Sequence, residues 1–95
     1  MSVVIVGGNE RMECKYSEIC KSYGCSAKIY TKENTSLKKK LGCPNLLILF
    51  TGTVSHKMML SATDAAKRNN VPVIRVGSSS AASLRNVMHK HFSSL

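Results

Sequence analysis

Two wholly apolar runs, V-V-I-V at positions 3–6 and L-L-I-L-F at positions 46–50, each end in a turn of small residues, and each is followed by a stretch of helical periodicity. A strand with no polar alternation is buried on both faces, as in a parallel sheet covered by helices. Two further strand-like segments alternate with helical ones, so the sequence predicts an α/β fold, a three-layer sandwich around a four-stranded parallel sheet.

The first strand, within S-V-V-I-V, runs into Gly7 and Gly8, and Asn9 is a good N-cap for a helix with Glu10 and Glu13 in its first turn. Met12, Tyr16, Ile19, Cys20 and Tyr23 make its apolar face, and Gly24 followed by Cys25 predicts a left-handed cap with an apolar contact. Ser26–Tyr30 is a more polar strand, suited to a sheet edge. After a polar connection at 31–35, a short helix is expected over Ser36–Leu41, with Lys38, Lys39 and Lys40 outward and Gly42-Cys43 ending it before Pro44.

The second apolar run is the central strand, followed by the turn Thr51, Gly52, Thr53. The next helix is expected from Val54 or Ser55 to Asn69, burying Val54, Met58, Ala62, Ala65 and Ala66. Val71–Val76 supplies a fourth strand, with Pro72 tolerated at its beginning. Gly77 and the serines at 78–80 then open a last helix with Ala81, Leu84, Val87, Met88 and Phe92 on one face. Right-handed crossovers, with the two most apolar strands adjacent at the centre, give the order 2-1-3-4, a Rossmann-like or flavodoxin-like arrangement.

Ninety-five residues with no repeat or linker are expected to form one domain, small enough that a homodimer is a reasonable expectation. The formal charge of +9 would attract polyanions, which makes an electrostatic nucleic-acid binder one reading. The basic residues are dispersed, however, and no stacking platform or helix-turn-helix pattern accompanies them. No segment is long enough to span a bilayer and the N-terminus lacks the charged region of a signal peptide, so a cytoplasmic chain with reduced cysteines is expected. The spacing of Cys14, Cys20, Cys25 and Cys43 matches no standard zinc site.

In a sheet of this order the connections after strands one and three leave in opposite directions and open a crevice at their carboxyl ends. Gly7, Gly8, Asn9, Thr51, Gly52, Thr53, Ser78 and Ser79 converge there, with Arg11, Ser55, His56 and Lys57 at the flanking helix starts. The glycines are expected to leave bare backbone N–H groups as the floor, and the helix N-termini favour a small polar or anionic ligand. Glu10 competes for that positive field, and capping alone also explains the serines and threonines.

Known catalytic patterns do not match. G-G-N-E-R-M lacks the third glycine of a dinucleotide loop, and the second strand ends in Tyr30 and Thr31 rather than an acid. The first loop has no cysteine for phosphoryl transfer, and neither a G-x-S-x-G elbow, a G-K-[ST] loop nor paired carboxylates occur in the turns. Cys14 lies about 200° round the helix from Met12, off the apolar face, and His56 is likewise off the core face of its helix. A thiolate and an imidazole flanking one crevice suit a transition metal or haem iron, so Cys14 and His56 are the alternative ligands. His89 and His91 are expected on the surface.

V-V-I-V-G-G-N-E-R-M-E followed by K-Y, then K-K-K-L-G-x-P-N-L, L-F-T-G-T-V-S-H-K-M and the S-S-S before the last helix closely resemble a bacterial family known as domain of unknown function 2325. The resemblance spans nearly the whole chain. Longer relatives have been associated with haem binding and oxygen sensing, which the resemblance implies as an expectation here. Relatives often carry a histidine beside these serines, where this chain has V-G-S-S-S. The combined expectation is a non-enzymatic ligand-binding or sensor module, the haem or metal sensor and the nucleic-acid binder being its alternatives.

Overall fold

A computed structural model describes residues 1–31 and 44–92. The elements are β1 (Ser2–Val6), a 3-10 turn (Glu10–Met12), α1 (Glu13–Ser22), β2 (Ser26–Tyr30), β3 (Leu46–Phe50), α2 (His56–Arg68), β4 (Val73–Val76) and α3 (Ala81–Phe92). All strand pairs are parallel and the order is β2-β1-β3-β4, as the sequence predicts. The helix expected over Ser36–Leu41, with its Gly42-Cys43 ending, lies outside the described residues.

The absence of alternation in β1 and β3 has the expected result: every residue of β3 and Val3–Val6 of β1 are buried. Val3, Ile5, Leu46, Ile48 and Phe50 face one layer, built on Tyr16, Ile19 and Cys20 of α1 and Leu84 and Met88 of α3. Val4, Val6, Leu47 and Leu49 face the other, built on Met58, Ala62, Ala65 and Ala66 of α2. Each fully buried Val, Leu or Ile contributes about 1.5–3 kcal/mol relative to exposure, so these two strands anchor both layers. β2 and β4 are only half-buried, as sheet edges.

The helix ends follow from local chemistry. Gly24, with φ +74, closes α1: the Gly24 N–H donates to the Lys21 carbonyl at 2.9 Å and the Cys25 N–H to that of Cys20 at 3.0 Å, while Cys25 packs into the core. Asn70 repeats the device after α2, with φ 55 and a 2.8 Å bond from the Val71 N–H to the Ala66 carbonyl. Val71 is thus the buried end of a helix cap, and the fourth strand starts at Val73 rather than at Val71. At the front of α1 the expected cap is also displaced: the Asn9 side chain accepts from Arg11 N–H at 3.0 Å, and the resulting tight turn delays α1 to Glu13. Among the described residues no helix is long and apolar enough to cross a membrane.

Candidate functional site

Three strand-to-helix loops meet at the carboxyl edge of the sheet, following β1, β3 and β4, and they are tied to one another. Gly7 N–H donates to the Tyr30 carbonyl at 2.9 Å and Gly8 N–H to Thr53 Oγ1 at 2.7 Å. Thr51 N–H donates to the Val76 carbonyl at 2.9 Å, and Thr53 N–H to that of Phe50 at 3.1 Å. The expected floor of bare glycine amides is therefore absent. Both N–H groups already have acceptors, because a loop this close to the sheet must satisfy its backbone locally.

The glycines are needed for close approach and backbone shape. Gly7 and Gly8 have φ +94 and +91, and a Cβ on Gly8 would stand 2.9 Å from the Tyr16 ring. Gly52 has no such φ; a Cβ there would meet the Gly77 carbonyl oxygen at 2.7 Å, so the loops after β3 and β4 pass backbone to backbone.

Tyr16, which its helical spacing places in the core alone, has a second role. Its ring is fully buried and lies 5.4 Å from that of Phe50, yet its hydroxyl reaches the loops. It donates to the Ser79 carbonyl at 2.5 Å and accepts from Asn9 N–H at 3.5 Å. The signal was present in its chemistry, since a buried tyrosine needs a partner for its O–H. Thr31 makes a further tie, donating to Glu13 Oε1 at 2.6 Å.

The expected site residues thus divide. Gly7, Gly8, Asn9, Thr51, Gly52, Thr53 and Ser79 hold the loops together. Ser55 caps α2, accepting from Met58 N–H at 3.1 Å; Ser80 caps α3, accepting from Ser83 N–H at 3.2 Å, with Ser78 bonded to Ser80. Arg11, His56 and Lys57 remain exposed, and their side chains have no ion-pair or hydrogen-bond partner among the described residues. The first turn of α2 contains no acidic residue, whereas Glu10 and Glu13 occupy the corresponding stretch before and within α1. The amides of His56 and Lys57 also have no acceptor among the described residues.

Cys14 and His56 are both exposed, at the starts of helices that pack on opposite faces of the sheet. Among the described residues no three His, Cys, Asp or Glu side chains gather to hold a metal ion. The Cys14 and His56 side chains are exposed rather than enclosed by apolar walls among the described residues, and burial around the iron is one of the levers by which a protein tunes a haem. Cys14, Cys20 and Cys25 are free thiols.

No curated protein and no solved structure matches this chain. A family model described as an uncharacterized protein conserved in bacteria (DUF2325) matches residues 2–91, spanning all three loops and every strand. The chain belongs to that bacterial family.

Proposed function

We propose that the chain is a non-enzymatic binding or sensor module that takes a small anionic or polar ligand at the carboxyl edge of its sheet, against the start of α2. The observation that carries this reading is the contrast between the two helix starts flanking β1 and β3. The loop before α1 has its glycine amides engaged by Tyr30 and Thr53 and carries carboxylates, while α2 opens with two amides that have no acceptor among the described residues, no acid, and Lys57 beside them. The helix dipole and those N–H groups favour negative charge there. The neighbouring loops, clasped through Gly8–Thr53 and Thr51–Val76, hold that position without needing a ligand to order them.

Amide correlation spectra recorded during titration with inorganic phosphate test it. The expected result is saturable shifts confined to Thr53, Ser55, His56 and Lys57, weakened in Lys57→Glu. Shifts of equal size at Arg85 and Lys90 of α3, or none at all, would refute the reading.

A further inference from the structure

Among the described residues no strand pairs with the outer side of β4, and a hollow borders that edge on each face of the sheet. On one face Arg75 meets Lys57, Leu60, Asp64 and Lys67 of α2 around a hollow of about 600 Å³. Those helical positions recur at three and four residue intervals, so they form one stripe beside the edge. On the other face Ile74 and Val76 meet Ser83, Val87 and Lys90 of α3 around about 390 Å³, with the same spacing along the helix. Each hollow has an apolar element: Leu60 is 54% exposed in the first, and Ile74, Val76 and Val87 are half-buried in the second.

The backbone of β4 is oriented to use them. The carbonyls of Pro72 and Val76 accept from Leu47 and Thr51 on the β3 side. Alternation then aims the N–H and C=O of Val73 and Arg75 away from the sheet, the arrangement that templates an added strand. Charge selects what that strand can be. Lys57, Lys67, Arg75 and Lys90 surround the edge, and the one carboxylate lining it among the described residues, Asp64, is 3.5 Å from Arg68 in an ion pair. A second copy of the chain would bring Arg75 and the same lysines against themselves across a two-fold axis, which like charges oppose.

We propose that the outer edge of β4 accepts an extended acidic segment of a partner protein as a fifth strand, with its alternate side chains seated in the two hollows. Main-chain bonds to Val73 and Arg75 hold the segment, and the lysines of α2 and α3 select acidic side chains.

The test is fluorescence anisotropy and amide spectroscopy on the 95-residue chain with a labelled alternating Glu–Val peptide. Saturable binding is expected, with the amides of Val73 and Arg75 shifted and protected from exchange. A Lys–Val peptide should not bind, and an acidic peptide interrupted by prolines should bind at least about tenfold more weakly, the loss expected for one or two main-chain bonds. Arg75→Pro removes an outward N–H as well as the charge and should weaken binding about tenfold beyond Arg75→Ala, since proline is tolerated on an edge. If Arg75→Pro does not fold, the peptide comparison and the wild-type amide shifts decide. Equal binding of the proline-interrupted peptide, or tighter binding of oligouridine with Val73 and Arg75 unmoved, would overturn the proposal in favour of simple polyanion attraction. Sedimentation as a dimer with those two amides protected in the absence of peptide would overturn it in favour of self-pairing.

Discussion

The hydroxyl of Tyr16, on a fully buried ring of α1, donates to the Ser79 carbonyl at 2.5 Å and so fastens the loop before α3 to the opposite end of the chain. Tyr16→Phe keeps the packing against Phe50 and removes only the oxygen. We expect about 1–2 kcal/mol of lost stability, because the Ser79 carbonyl is left without its donor. Urea unfolding measures the change, and an unaltered midpoint would mean that water replaces the bond at no cost.

The glycines should respond to alanine in a graded way. Gly24→Ala meets no atom within 4 Å and bears only the left-handed backbone, about 1–2 kcal/mol. Gly8→Ala adds to φ +91 a contact at 2.9 Å with a tyrosine ring locked in the core, for roughly 2–4 kcal/mol in total. Thermal unfolding of the pair should show the larger loss at Gly8; equal losses would mean that the ring yields.

Alkaline pH should weaken the fold through Cys20. Burial first, and then the neighbouring Cys25 thiol, push its pKa up from 9.0 to about 11. The folded protein keeps a proton that the unfolded chain releases, so this contribution is fully present below pH 9 and is lost as pH rises through about 11. The loss across that window is on the order of 2 kcal/mol. Cys20→Ala should be less stable at neutral pH, since it leaves a cavity, but should fall less steeply over the same window. Parallel pH profiles of the two proteins would contradict the assignment.

The exposed positions of Cys14 and His56 predict that haemin gives the same Soret band with the wild type, Cys14→Ala and His56→Ala. A band shifted in the wild type and restored to that of free haemin by either substitution would identify that side chain as an iron ligand.

The layers were legible in the sequence because burial on both faces leaves an unbroken apolar run. Leu46–Phe50 could be read as a central strand, and Met58, Ala62, Ala65 and Ala66 as one helical face, from spacing alone. Boundaries decided by a few hydrogen bonds were harder. Val71 has the composition of a strand residue, yet its N–H closes a helix through Ala66, and Asn9 caps a tight turn before the α-helix begins. The location of the crevice followed from strand order. Its hydrogen bonding did not, because the bond from Gly8 to Thr53 joins residues 45 positions apart and leaves no local pattern. For the same reason Tyr16 read as an ordinary core residue, its partner Ser79 being 63 positions away.

The clasp between Gly8 and Thr53 joins loops whose helices pack on opposite sides of the sheet. Thr53 lies two residues before the cap of α2, and Gly8 has no free space beside the Tyr16 ring of α1. The start of α2 is thus linked, through a single hydrogen bond and a glycine, to an aromatic ring in the far layer and to the loop that this ring anchors. The two sides of the molecule are therefore joined at their common rim as well as through the sheet between them.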